Sequence, residues 1–260
     1  MKLVFVGGGK MGEALLGGLI ARGWAEVGEL GVVEPSEERR AYLADTFPGL
    51  NLVDDAGGAD VVIAVKPQHV PDVAQSLVGS GTQRVLSIAA GVTLSAMESW
   101  VDDGTRVVRA MPNTPALVGE GAAAIAAGAH AGADDLDWAR SILESVGSVE
   151  VVTEDLLDAV TGVSGSGPAY VFLVAEAMMA AATEVGLPAE IGDALTRRTL
   201  LGAARLLAES GEDPAVLRQN VTSPGGTTAE GLKALEAADV RGAFAAAVKA
   251  ATERSIELGS

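Results

Sequence analysis

Cysteine is absent from the 260-residue chain, which excludes disulfides, thiol nucleophiles and thiolate metal sites together. Aromatic residues make up only 3%, so the core must be aliphatic. Basic residues are outnumbered, with 18 Lys and Arg against 35 Asp and Glu and a formal net charge of −17. That surface is a poor partner for nucleic acid, whose phosphates are bound by Lys and Arg. It also opposes long-range steering of an anionic substrate, which must instead be captured by local backbone or side-chain donors. No apolar run approaches the roughly 20 residues that a membrane-spanning helix needs, so no membrane partner is expected. The 2 histidines, His69 and His130, do not form a metal spacing, and neither has a carboxylate orienter nearby in sequence. No acidic cluster has a metal-ligand pattern, and no metal is expected. Met1-Lys2-Leu3-Val4-Phe5-Val6 runs straight into Gly7-Gly8-Gly9. It reads as a first strand rather than a signal peptide, which would need a longer apolar core and a cleavage site. A cytoplasmic enzyme is the simplest setting.

What is present is apolar and rich in glycine, 48% hydrophobic with 33 Gly, which suits an ordered α/β protein. The first half alternates short apolar runs with helical patterns. Lys2–Val6, Leu30–Glu34, Asp60–Val65, Arg84–Ile88 and Arg106–Ala110 read as buried strands. Met11–Arg22, Ser36–Thr46, Val70–Val78 and Leu94–Trp100 read as the helices between them. Such alternation implies βαβ units and a mostly parallel, doubly wound sheet. Gly121–Ala127, Asp134–Glu144 and Val149–Val152 add a strand, a helix and a strand.

The pattern changes near residue 153. Asp155–Thr161, Pro168–Val185, Ala189–Ser210, Pro214–Asn220, Thr227–Glu236 and Val240–Leu258 read as helices, separated by breaks rich in Gly, Pro and Ser, among them Gly162 to Gly167. The expected organisation is an α/β Rossmann-type N-terminal domain, residues 1–153, followed by an all-α domain, residues 154–260. The long helices are apolar on more than one face. A small domain can hardly bury them alone, and an intersubunit interface is expected.

Gly7-Gly8-Gly9-Lys10-Met11-Gly12 fits G-x-G-x-x-G directly after a strand and at a helix start. Its glycines permit a tight turn and a close backbone approach to a pyrophosphate, and the helix N-terminus adds free N–H groups. A glycine-rich turn without a ligand is the plainer alternative. At the end of the second strand stand Glu34, Pro35 and Ser36, then Arg39 and Arg40. A carboxylate at Glu34 suits the ribose 2′-OH of NAD and repels the 2′-phosphate of NADP. Ser36 and the arginines could instead receive that phosphate, although the two arginines read first as a solvated helix face. The cofactor is therefore NADPH or NADH, with the preference open.

Several motifs then converge. Val6-Gly7-Gly8-Gly9-Lys10-Met11-Gly12, Ala64-Val65-Lys66-Pro67-Gln68, Ser87-Ile88-Ala89-Ala90-Gly91, Arg109-Ala110-Met111-Pro112-Asn113-Thr114-Pro115 and Ser164-Gly165-Ser166-Gly167-Pro168-Ala169-Tyr170 occur in that order. Val221-Thr222-Ser223-Pro224-Gly225-Gly226-Thr227-Thr228-Ala229-Glu230-Gly231-Leu232 follows them. With these motifs the chain resembles pyrroline-5-carboxylate reductases over essentially its whole length; the first motif is shared with many dehydrogenases, and the last is close to diagnostic.

The resemblance implies reduction of 1-pyrroline-5-carboxylate to L-proline. It also implies a C-terminal domain that interleaves into a homodimer, with dimers often joined into rings. It places cofactor contacts at Gly7, Gly8, Gly9, Lys10, Met11 and Gly12, at Ala64, Val65, Lys66 and Pro67, and at Ala89 and Ala90, with Asn113 near the nicotinamide. Substrate is expected at Asn220, Val221, Ser223, Gly225, Gly226, Thr227 and Thr228, facing the nicotinamide of a dimer partner, and at Glu154. Two departures stand out. Members that use NADPH commonly carry a small polar residue or Arg where this chain has Glu34. Many also have a cofactor-touching Asn before the next strand, where this chain reads Val53-Asp54-Asp55-Ala56-Gly57-Gly58-Ala59.

Read physically, Pro224, Gly225 and Gly226 enforce an irregular loop, and Thr227 or Thr228 opens a helix. Exposed N–H groups at a glycine-rich helix start form an anion site that suits a carboxylate. Alone, the same residues read first as a helix cap, and the other motifs reverse that reading. In the implied reaction hydride attacks an imine carbon, a better acceptor when its nitrogen is protonated. Thr228 is the candidate partner for that nitrogen. Lys66 reads as lining the cofactor rather than as catalytic. Ser164 and Ser166, in a glycine-rich loop with no His nearby, read as helix-start geometry rather than nucleophiles. Two other functions share the fold plan. A β-hydroxyacid dehydrogenase-like enzyme would place a catalytic Lys early in the second domain, and Pro168 to Arg197 contains none. A non-catalytic dinucleotide-binding regulator would not need the threonine-rich loop.

Overall fold

The computed structural model describes residues 1–259. They divide into two compact units, one comprising Met1–Ser166 with the stretch from Val248 onward, the other Gly167–Ala247. The first unit carries the strands β1 (Leu3–Val6), β2 (Leu30–Val33), β3 (Asn51–Val53), β4 (Asp60–Ile63), β5 (Arg84–Ser87), β6 (Arg106–Met111), β7 (Gly121–Ala127) and β8 (Gly147–Val151). Its helices are α1 (Lys10–Ala21), α2 (Glu37–Thr46), α3 (Val70–Ser76), α4 (Leu94–Glu98), α5 (Ala133–Leu143) and α6 (Leu157–Val160).

One eight-stranded sheet has the order β3-β2-β1-β4-β5-β6-β7-β8. It is parallel except for the antiparallel β6–β7 pair, in which Arg109 faces Ala126 and Ala110 faces Ile125. The near-continuous apolar runs of β1, β4 and β5 follow from burial on both faces, as parallel strands require. Leu3, Phe5, Val62 and Leu86 contribute to the cluster with α1, whereas Val4, Val61, Ile63 and Val85 pack in the other.

Two local readings need correction. Asn51–Val53 is a strand that the apolar pattern does not announce, since three residues are too few to display a period. It is held by parallel pairing to β2 and by the Asn51 amide, which donates to the Gly28 and Leu30 carbonyls at 2.8 Å. The stretch from Gly162 is not a loop: Thr161–Gly165 forms a π-helical turn that continues α6. Glycine serves close packing there. A Cβ on Gly162 would lie 2.2 Å from the Thr252 hydroxyl, and one on Gly165 would lie 2.5 Å from the Met111 methyl.

In the second unit lie α7 (Gly167–Glu184), α8 (Ala189–Ser210), α9 (Pro214–Asn220) and α10 (Thr227–Ala237), and α11 (Val240–Leu258) begins there. α7 and α8 approach closely at Gly192, whose Cβ would come within 2.9 Å of the Ala182 Cβ. The unit buries little by itself. Phe172 is 61% exposed, Leu173 65% and Leu206 54%. Tyr170, Leu173, Met178, Val240 and Phe244 line an apolar groove of 590 Å³.

The expectation about long apolar segments also changes. The stretch Glu154–Glu184 is long and apolar enough for a membrane span by length and composition, with a mean hydropathy of 1.2. Gly, Ser and Thr are spaced among its Ala, Val and Leu, so no long apolar run marks it in the sequence. An exposed apolar helix needs a cover, and another protein surface provides one as well as lipid does.

Candidate functional site

In a doubly wound sheet a ligand binds outside the carboxyl ends of the strands where the strand order reverses. Here the reversal falls between β1 and β4, and the sequence-selected residues of the first unit gather around it. Gly7 to Gly12 follow β1, Glu34 and Ser36 follow β2, Ala64 to Pro67 follow β4, Ala89 and Ala90 follow β5, and Asn113 follows β6.

Each glycine of the first turn has its own physical reason. Gly7 has φ +107°, and a Cβ there would lie 2.6 Å from the Ala64 carbonyl oxygen. The turn between β1 and α1 is thus packed against the turn after β4. Gly12 lets α1 approach the strand, since its Cβ would meet the Gly7 carbonyl oxygen at 2.6 Å. Gly9 differs. Its backbone is extended (φ −66°, ψ −178°) and its Cβ would meet nothing within 4 Å. Nothing in the chain itself requires glycine there, so the open space beside an uncapped helix start is what a pyrophosphate would use.

Glu34 is fixed against this turn. Its carboxylate accepts from the Gly8 and Ser36 N–H groups, both at 2.9 Å. Arg39 and Arg40 are not a solvated face. Arg39 donates to the Gly8 carbonyl at 2.5 Å and pairs with Glu13, and the Tyr42 hydroxyl donates to the same carboxylate at 2.9 Å. Burial acts to raise the Glu13 pKa, but hydrogen bonds from Arg39 and Tyr42 and the charges of Arg39 and Lys10 hold it below its ordinary 4.5. Its contribution to stability is complete above that ordinary value and is lost as pH falls through the lower folded one. Arg40 donates to the Leu52 carbonyl at 3.2 Å and to those of Glu34 and Val53 at 3.3 Å. A cavity of 470 Å³ at the β2 end is lined by Glu34, Pro35, Arg40 and Asp54.

Because Glu34 is held beside the turn, Glu34→Ser should raise the NADPH-to-NADH ratio of kcat/KM by roughly tenfold through loss of a repulsive charge. An unchanged ratio in steady-state kinetics with both cofactors would show that Glu34 does not face the ribose.

Two sequence-selected residues are engaged within the protein. The Asn113 side chain donates to the Ser164 carbonyl at 3.0 Å and accepts from the Ala122 N–H at 2.9 Å. It is buried and ties the loop after β6 to the π-helical turn. Glu154 Oε1 accepts from the Leu94 N–H at 2.6 Å and from Arg109 at 2.9 Å. Arg109 was not singled out by itself in the sequence. A lone charge in the otherwise apolar run Val107-Val108-Arg109-Ala110 was the available signal. His130 does have a carboxylate neighbour, Asp103 at 3.4 Å, but both side chains are exposed. Among the described residues no group of acidic, His or Cys side chains could hold a metal ion.

The second unit carries the threonine-rich loop. Asn220 ends α9, and Val221 is exposed. The Gly226 N–H donates to the Ser223 carbonyl at 3.0 Å across Pro224 and Gly225, and Gly225 has φ +69°. Pro at the second and a positive-φ Gly at the third position form a type II turn. Gly226 is the N-cap of α10 and supplies no side-chain hydrogen bond. The backbone N–H groups of the first turn, at Thr227 and Thr228, therefore lack a side-chain cap from within the motif, and both threonines are exposed.

Two family models match the chain. One, described as pyrroline-5-carboxylate reductase dimerisation, covers residues 154–258, and the other, described as NADP oxidoreductase, coenzyme F420-dependent, covers residues 2–91. A pyrroline-5-carboxylate reductase from Synechocystis sp. is 45% identical over 264 residues, covering 100% of this chain and 98% of its own. The chain belongs to the pyrroline-5-carboxylate reductase family. Among solved structures, a member from Coxiella burnetii superposes with a TM-score of 0.93 at 39% identity, over 100% of this chain and 98% of its own. A pyrroline carboxylate reductase from Plasmodium falciparum, solved with NADP bound, gives 0.85 at 31% identity, over 100% and 98%. The dimerisation match spans the exposed apolar helices of the second unit, which supports a homo-oligomer.

Proposed function

We propose that the chain reduces 1-pyrroline-5-carboxylate to L-proline with NADPH or NADH. The full-length likeness to pyrroline-5-carboxylate reductases carries this reading. The space at Gly9 supports it on the cofactor side, and the uncapped start of α10 supports it on the substrate side. When bound, the reduced nicotinamide supplies the hydride that the imine carbon accepts.

The chain's own residues bind and orient. The turn Gly7 to Gly12 holds the pyrophosphate through the backbone N–H groups from Gly9 to Gly12 at the α1 N-terminus, those of Gly7 and Gly8 being bonded to the Val33 carbonyl and Glu34. Lys66 and the turns at Ala64 to Pro67 and Ala89-Ala90 line the cofactor. The N–H groups of Ser223, Gly225 and Thr227 receive the substrate carboxylate, since Pro224 has none and the Gly226 N–H is taken by the Ser223 carbonyl. The Thr228 hydroxyl holds the imine nitrogen, which gains a proton as its carbon is reduced. A Thr hydroxyl is a weak acid, so it holds or relays that proton rather than titrating.

Addition of pyrroline-5-carboxylate should trigger oxidation of NADPH or NADH, followed by the absorbance of the reduced nicotinamide, with proline as product. Oxidation without proline, or none, would overturn the reading. The setting is a cytoplasmic one, and the assembly is a homodimer or a ring of dimers. Light scattering should give at least twice the chain mass, because α7 and α8 leave too much apolar surface for a lone copy. A stable monomer at working concentration would contradict this.

A further inference from the structure

We infer that Glu154 is a positioning residue for the nucleotide turn after β5 rather than a substrate contact, with Arg109 as its fixed counter-ion; this rests on the proposed function for the role of that turn. One carboxylate oxygen, Oε1, binds both the Leu94 N–H at 2.6 Å and Arg109 Nη1 at 2.9 Å. Leu94 is the first residue of α4, immediately after the segment Ala89 to Thr93 that leaves β5. Arg109 lies on β6, next to β5, and its side chain is only 6% exposed. Its charge therefore has little water to fall back on, and Glu154 is its partner at a rigid place in the sheet. The carboxylate ties the outgoing end of the Ala89–Ala90 turn to the strand beside the one that delivers its start.

The middle of the same turn is supported separately. Gly91 has φ +76°, and a Cβ there would lie 3.4 Å from the Leu258 Cβ, while one on Gly259 would lie 3.0 Å from the Gly91 carbonyl oxygen. The end of α11 is itself seated by Ser255, whose hydroxyl donates to Asp158 at 2.6 Å. Asp158 lies four residues after Glu154, on α6. The turn is thus held at Gly91 by α11 and at Leu94 by Glu154. It offers the buried Ala89 and the exposed Ala90 with no side chain long enough to hold a cofactor, so their backbone must be placed by neighbours.

The test separates the two roles of Glu154 by which ligand suffers. In Glu154→Ala the Leu94 N–H and Arg109 both lose their partner. In Glu154→Gln an amide oxygen can still accept from Leu94, but the ion pair is gone. NADPH affinity is measured by titration of the full-length protein, and KM for pyrroline-5-carboxylate is measured at saturating NADPH. Glu154→Ala should raise the NADPH Kd about tenfold, the scale of one lost charged hydrogen bond, with Glu154→Gln between it and the parent. KM for pyrroline-5-carboxylate should stay within about twofold, since substrate binding is untouched. A raised substrate KM with normal NADPH affinity would restore Glu154 as a substrate contact. Normal values for both, or a lowered melting temperature with unchanged NADPH affinity, would likewise overturn the proposal. Failure of the parent to reduce pyrroline-5-carboxylate while binding NADPH would count against the proposed function alone, because the affinity comparison still stands.

Discussion

Gly9→Val should fold normally and lose cofactor binding. The two halves of this result come from the same observation. A Cβ built on Gly9 would have no non-neighbouring atom within 4 Å, and its extended backbone is one that any residue adopts. A Cβ there has no non-neighbouring protein atom within 4 Å, so the melting temperature should stay close to that of the parent. It does fill the approach that a pyrophosphate needs, and should weaken NADPH and NADH binding by roughly 100-fold or more, about 2.7 kcal/mol. Gly12→Val is the contrasting variant, since its Cβ would be driven to 2.6 Å from the Gly7 carbonyl oxygen and should cost stability instead. Titration of both cofactors alongside thermal unfolding decides the matter. Normal affinity in a folded Gly9→Val would remove this turn from the cofactor site.

Thr228→Ala should impair turnover far more than cofactor binding. The hydroxyl is assigned to the imine nitrogen, where charge changes during reduction, while the substrate carboxylate remains with the N–H groups of Ser223, Gly225 and Thr227. An interaction that strengthens in the transition state lowers kcat when lost, whereas one made equally to bound substrate raises KM. A hydroxyl hydrogen bond to a charged group is worth about 1.5–3 kcal/mol, so kcat/KM should fall roughly 10- to 100-fold. Thr228→Ser keeps the hydroxyl and should retain most activity. Thr228 is exposed at the first turn of α10, so neither variant empties a core position, and a folding defect is not the expected cause of lost activity. If Thr228→Ala turns over nearly as fast as the parent, the residue only begins a helix and the proton comes from elsewhere.

The likeness to the family was legible in order and spacing alone, because its motifs are turns, and a turn advertises itself through Gly and Pro. Gly7 to Gly12 and Ser223 to Thr228 both formed the structures their residues demand, a strand-to-helix turn and a type II turn leading into α10. The employment of the long polar side chains was not legible. Arg39 and Arg40 looked like an ordinary helix face, yet one clamps the Gly8 carbonyl and the other gathers carbonyls from the ends of β2 and β3. Asn113 lay in a motif suited to the nicotinamide, yet both ends of its amide are used inside the first unit.

The sequence by itself determined the alternation of strands and helices, the glycine turn after β1, the change to helices near residue 153 and the excess of apolar helix surface. All of these are short-range properties, set by side-chain period, backbone freedom and composition within a few residues. Only the tertiary structure decided that β7 runs against β6, that Gly162 lies in a π-helical turn against Thr252, and that Glu154 reaches Arg109 and Leu94. These pairings join residues 13 to 90 positions apart. Which partners meet depends on the order and register in which the whole sheet closes, and no local period carries that information.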